Sequence, residues 1–125
     1  MKKILIVDDQ KGIRMLLDEI FTMEGVKTYL ASNGKEALKI LDETKMDGVL
    51  LDMKLPGMDG KEVLNKMKAL YPDMPVFMMT AYDEGEMRVQ ESSYHADYYF
   101  TKPFNVFELK NTVIEFLERR KILSD

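Results

Sequence analysis

The chain is 125 residues long, 46% hydrophobic and 32% charged, which suits one domain with a buried core and excludes a disordered chain. A formal net charge of −4 argues against a surface that grips nucleic acid by its phosphates, and the lack of cysteine excludes disulfides, thiolate chemistry and cysteine-based zinc sites. No apolar stretch is long enough to span a bilayer, and the apolar run after Met1-Lys2-Lys3 is too short for a signal peptide, so a cytoplasmic protein with no membrane partner is expected.

Ile4 to Val7 is a short apolar run with β-branched residues and predicts a first strand, which stops at Asp8-Asp9. A helix follows over roughly Gly12 to Glu24, with Ile13, Leu16, Leu17, Ile20 and Phe21 at helical spacing and Gly25 closing it. Thr28 to Ala31 predicts a weaker strand. Asn33-Gly34 marks a cap, and Ala37, Leu38, Ile40 and Leu41 give the second amphipathic helix. Val49-Leu50-Leu51 does not alternate, so it reads as a strand buried on both faces, and it ends in Asp52. Pro56-Gly57 and Asp59-Gly60 supply turn chemistry, with Asp59 a turn residue. The third helix starts near Gly60, turns Val63, Leu64, Met67 and Leu70 inward, and breaks at Tyr71-Pro72.

Val76 to Thr80 is a further continuous apolar strand. The segment from Glu84 to Tyr94 predicts a poorly patterned, acidic fourth helix. Tyr98 to Thr101 predicts the last strand, ending at Lys102-Pro103. The last helix begins near Asn105, a good N-cap with Glu108 three residues on, and Val106, Leu109, Val113, Ile114 and Leu117 form its core face. Five strand–helix repeats imply an α/β fold with a parallel sheet covered on both faces, and residues 1–125 form one domain with no room for an output domain.

In such a sheet every strand ends on one rim. Strand one delivers Asp8 and Asp9 there, strand three Asp52, strand four Thr80 and strand five Lys102, whereas strand two ends blandly in Ala31-Ser32. If strand two is at the sheet edge, the ligand crevice lies between strands one and three. Three carboxylates held together repel one another, and a hard divalent cation such as Mg²⁺ relieves that repulsion. A metal, an ammonium and a hydroxyl around a carboxylate nucleophile make a site for phosphoryl chemistry.

These motifs, Val7-Asp8-Asp9, Leu51-Asp52-Met53-Lys54-Leu55-Pro56-Gly57-Met58-Asp59-Gly60, Thr80-Ala81 and Lys102-Pro103-Phe104, resemble the receiver domains of two-component response regulators over essentially the whole chain. The resemblance implies a doubly wound, flavodoxin-like (βα)5 fold with strand order 2-1-3-4-5. It implies that Asp52 accepts a phosphoryl group from a phosphohistidine. Asp8, Asp9, Asp52 and the backbone carbonyl of Lys54 would then hold Mg²⁺, and Thr80 and Lys102 would bind the phosphoryl oxygens. Thr80 and Tyr99 match the family's switch positions, and Lys102-Pro103 its cis peptide. Asp8-Asp9-Gln10-Lys11-Gly12-Ile13-Arg14 and Met79-Thr80-Ala81-Tyr82 look further like the single-domain phosphorelay receivers of sporulation initiation, whose partners are a sensor histidine kinase and a histidine phosphotransferase. A monomer or weak dimer is expected. The family usually has glycine where His95 stands, at the end of the fourth helix.

The helix-one start directly follows Asp9, so Ile13 and Leu16, ringed by Gln10, Lys11 and Pro103, form a candidate docking spot for a partner helix. Lys54 and Tyr82 flank the expected path of a hydrolytic water. Three other readings fit less well. A phosphatase of the haloacid-dehalogenase type needs a second acid two residues after the nucleophile, where this chain has Lys54. A flavodoxin-like cofactor binder wants a phosphate loop in place of Asp8-Asp9. A binding-only adaptor leaves the reactive groups unexplained.

Overall fold

The computed structural model describes residues 1–81 and 95–124. The helix expected over Glu84 to Tyr94, and Tyr82, lie outside the described residues, as does the helix end to which the His95 departure refers. Among the described residues the elements run β1 (Lys3–Val7), α1 (Lys11–Met23), β2 (Lys27–Ala31), α2 (Gly34–Glu43), β3 (Gly48–Asp52), α3 (Gly60–Leu70), β4 (Val76–Thr80), β5 (Tyr98–Thr101) and α4 (Val106–Ser124).

The five strands form one parallel sheet in the order β2-β1-β3-β4-β5. β3 and β4 are buried along their whole length, which is why their sequences are apolar without alternation. Successive residues feed opposite faces. Leu5, Val7, Val49, Leu51, Val76 and Met78 pack with Ala37 and Leu41 of α2 and with Val63, Leu64 and Met67 of α3. Ile4, Ile6, Leu50, Phe77 and Met79 pack with Leu17 and Phe21 of α1 and with Leu109, Val113 and Leu117 of α4.

The helix ends follow the sequence. Asn33 Oδ1 accepts a hydrogen bond from the Glu36 N–H at 2.8 Å, and Asp59 Oδ1 one from the Glu62 N–H at 2.9 Å. Asn105 Oδ1 accepts from both Phe107 and Glu108 N–H groups, at 2.9 and 3.1 Å. Gly25 lies at φ 81°, the left-handed conformation that ends α1.

One flank position is resolved, that of Leu16, and one inward assignment is corrected, that of Leu70. Leu16 is 42% exposed, because it sits on the flank of the apolar arc whose centre is Leu17, Ile20 and Phe21; Ile13 is partly buried against that core. Leu70 is 64% exposed. By its last turn α3 has reached the level of Met74, two residues before β4, and there the covered side chain is Lys68, whose Nζ donates to the Met74 carbonyl at 2.8 Å.

Candidate functional site

The carboxyl rim of the sheet gathers the reactive side chains. Asp8 directly follows β1, Asp52 ends β3, Thr80 ends β4 and Lys102 directly follows β5. Asp8, Asp52 and Thr80 are buried, at 0%, 3% and 1% exposure, whereas Asp9 is exposed. Asp8, Asp9 and Asp52 each present a carboxylate oxygen within 4.8 Å of the other two. The Lys102 ammonium donates to Asp52 Oδ1 at 3.0 Å, and the Lys54 N–H reaches the same oxygen at a long 3.5 Å. Lys102 is placed there by its backbone: its N–H donates to the Thr80 carbonyl at 2.7 Å, continuing the β4–β5 ladder one residue beyond the strand. The Lys102–Pro103 peptide that follows is cis.

Asp8 is the most constrained member. Its Oδ1 accepts the Gln10 N–H at 2.9 Å, and its Oδ2 is buried with no hydrogen-bond partner among the described residues. Burial pushes the Asp8 carboxyl above its ordinary value of 3.8, with the neighbouring Asp52 and Asp9 adding to the effect and the Gln10 N–H and Lys102 opposing it. An orphaned carboxylate oxygen, two more carboxylates within reach and an all-oxygen donor set fit a hard divalent cation. The residues present therefore suit the metal that the sequence pattern implies.

The loop from Met53 to Asp59 closes tightly under the site. The Gly60 N–H donates to the Met53 carbonyl at 2.8 Å, and a Cβ on Gly60 would stand 2.5 Å from the Asp52 carbonyl oxygen. Gly60 thus lets α3 begin against the backbone of the central carboxylate. Beside the acids a cavity of about 450 Å³ opens between Asp9, Met53, Lys54, Leu55, Pro56 and Asp59. Asp59 lines it but spends its side chain on the α3 cap, as a turn residue would.

The expected docking residues lie at the start of α1 and just after Lys102. Gln10 and Lys11 are exposed at the start of α1, and Pro103 is exposed after Lys102. Leu16 is joined on the open face of α1 by Met15, 57% exposed. Tyr99, in β5, is partly buried, and its hydroxyl accepts the Ala96 N–H at 3.1 Å. Sequence reasoning missed Arg14, whose guanidinium donates to the Asp8 carbonyl at 2.7 Å and braces the β1–α1 turn. A basic residue one turn into a helix that follows two acids was the available signal.

Comparison with known proteins agrees with this arrangement. Residues 4–114 match the family of the response regulator receiver domain. The chain is 47% identical over 116 residues to sporulation initiation phosphotransferase F of Bacillus subtilis (strain 168), covering 93% of this chain and 94% of that protein. It is 38% identical over 113 residues to the regulatory protein AtoC of Escherichia coli (strain K12), covering 90% of this chain and 24% of that one. Among solved structures, a CheY-like receiver domain protein from Methanospirillum hungatei JF-1 superposes with a TM-score of 0.88 at 34% identity, over 97% of each chain. The response regulator protein TrrA from Thermotoga maritima, solved in complex with Mg²⁺–BeF, superposes with a TM-score of 0.82 at 41% identity, over 92% of this chain and 98% of that one.

Proposed function

The chain belongs to the response regulator receiver family, and on that footing we propose that it is a phosphorelay intermediate whose Asp52 takes a phosphoryl group from a phosphohistidine and hands it to a second histidine. The observation that carries this reading is one rim on which Asp52 lies within 3.0 Å of the Lys102 ammonium and shares a 4.8 Å cluster with Asp8 and Asp9.

In this reading an Asp52 carboxylate oxygen attacks phosphorus in line. The new O–P bond forms as the N–P bond breaks, and the donor imidazole leaves with the bonding electron pair. Burial of Asp52 strips water from the nucleophile and makes the surrounding charges act at higher strength. Lys102, paired with Asp52 beforehand, shifts its ammonium to a phosphoryl oxygen as charge moves outward. Thr80, at the end of β4, offers its hydroxyl to another. Asp8, Asp9, Asp52 and the Lys54 carbonyl would hold Mg²⁺, which when bound neutralises phosphoryl oxygens and lowers the repulsion between donor and acceptor anions. The relay direction, kinase to histidine phosphotransferase, is supported by the likeness to a sporulation phosphotransferase of nearly the same length.

Gln10, Lys11, Ile13, Leu16 and Pro103 would dock the partner helix that carries the histidine, since they are exposed or part-exposed on the segments that follow Asp9 and Lys102. The direct test is incubation with Mg²⁺ and acetyl phosphate followed by intact-mass measurement. One phosphoryl adduct is expected, absent from Asp52→Asn and from a Mg²⁺-free control. An adduct retained by Asp52→Asn would overturn the assignment.

A further inference from the structure

Far from the acids, at the opposite end of the sheet, a lysine is almost wholly buried. Lys68, in the last turn of α3, is 8% exposed. A buried ammonium needs partners, and among the described residues this one has two: the Met74 carbonyl at 2.8 Å and Asp97 Oδ2 at 2.7 Å. Asp97 in turn holds Val76 from both sides. Its Oδ2 accepts the Val76 N–H at 2.8 Å, and its own N–H donates to the Val76 carbonyl at 2.8 Å. Val76 is the first residue of β4, and Asp97 immediately precedes β5. The three elements α3, β4 and β5 are therefore tied together at one point.

That point matters because, among the described residues, β5 puts few side chains of its own into the core to fix its register, Phe100 and the partly buried Tyr99. It is a four-residue edge strand, and only Phe100 of it is buried. Tyr98-Tyr99-Phe100 presents three aromatics in succession, so a slip of one residue would replace one ring by another on the covered face. Hydrophobic alternation specifies register strongly, and here it is missing. Yet the register decides the chemistry. Phe77 pairs with Tyr98 and Thr80 with Thr101, which sets Lys102 beside Thr80 and within reach of Asp52. One residue of slip would carry the ammonium about 3.3 Å along the strand, well outside its 3.0 Å contact.

We propose that Lys68 and Asp97 are positioning residues for phosphoryl transfer: their ion pair pins the β4–β5 register and so places Lys102 on Asp52 from the far end of the sheet. The Tyr99 hydroxyl on the Ala96 N–H secures the same segment, one residue before Asp97. The proposal rests on the reading of Lys102 as the phosphoryl-binding ammonium.

The test uses the full chain, acetyl phosphate and Mg²⁺, with amide exchange of β1 and β3 as the check that the core is folded. Asp97→Ala is expected to slow labelling of Asp52 at least tenfold at saturating acetyl phosphate, with little change in the half-saturating concentration. Asp97→Asn, which keeps an acceptor oxygen, should recover most of the rate. In a Lys102→Ala background, Asp97→Ala should add less than a twofold loss, because both changes remove the same positioned group. Should Asp97→Ala not fold, Lys68→Met keeps the Asp97–Val76 bond and a similar volume, and a loss of threefold or more is expected. Labelling within twofold of the native rate in a folded Asp97→Ala or Lys68→Met protein overturns the proposal, as do additive losses with Lys102→Ala. Labelling that survives Asp52→Asn instead overturns the phosphoryl-acceptor reading and is a separate failure.

Discussion

At the scale of single residues, Asp8 sets the electrostatic character of the site. Its carboxyl is raised, chiefly by burial, above the value of 3.8 that it has in an unfolded chain. Between 3.8 and the raised value the folded protein holds a proton that the unfolded chain has released. Metal-free stability therefore falls as pH rises through that window, and the loss persists above it. Asp8→Asn removes the desolvated charge, so the metal-free variant is expected to be more stable than the native chain at neutral pH and to have a flatter profile. Urea unfolding from pH 4 to pH 8 measures both, and parallel profiles would remove Asp8 as the cause. Gly60 acts by shape alone. An added Cβ would meet the Asp52 carbonyl oxygen at 2.5 Å and the Met53 Cα at 2.6 Å, and backbone at that distance has to move. Gly60→Ala is expected to cost about 2 kcal/mol and to slow acetyl phosphate labelling by displacing Asp52. Lys54 is exposed at the lip of the cavity beside Asp9. Replacing it with serine should hasten loss of the phosphoryl group, read as the decay of the adduct by mass; an unchanged decay rate counts against it.

At the scale of elements, α1 has two jobs on two faces. Leu17, Ile20 and Phe21 bury it against the sheet, while Met15 and Leu16 stay open to solvent. A side chain 42% exposed and off the core contributes little to folding, so Leu16→Ala should alter stability by less than about 1 kcal/mol. It should nevertheless slow transfer from a phosphorylated histidine kinase while leaving acetyl phosphate labelling unchanged. Equal slowing of both reactions would mean that α1 orders the site and does not dock a partner. β5 is the opposite kind of element: its own residues bury little, and its alignment comes from groups outside it, Lys68 and Asp97.

At the scale of the whole molecule, parallel winding does the assembly. Residues as far apart as Asp8 and Lys102 meet because every strand ends on the same rim, and the order β2-β1-β3-β4-β5 puts the strands carrying acids side by side. The cluster so formed is repulsive, with Asp8 and Asp52 buried and Asp9 exposed, and it is expected to bind a divalent cation in the folded state only. Mg²⁺ at about 100 times its dissociation constant should then add about 2.7 kcal/mol to stability, and Asp8→Asn should remove most of that gain. Thermal unfolding across a Mg²⁺ titration tests it.

The strand-end acids, the threonine, the lysine and the turn glycines are local in the chain, and uninterrupted apolar runs such as Val49-Leu50-Leu51 already imply strands covered on both faces. With the alternation of strands and helices, that determines the layered sheet and the rim on which Asp8, Asp9, Asp52, Thr80 and Lys102 collect. What only the tertiary structure decided is where periodic patterns run out. Leu70 looked inward by spacing, but the helix ends where Lys68 meets Met74 and Asp97. Leu16 lay on the edge of its arc, and only packing chose which side of that edge it took. The partner of Lys68 is 29 residues away and comes from a different element. Spacing within a segment reports which face a residue shares, whereas the partner of a buried charge depends on distances between segments, and those exist only once the chain is folded.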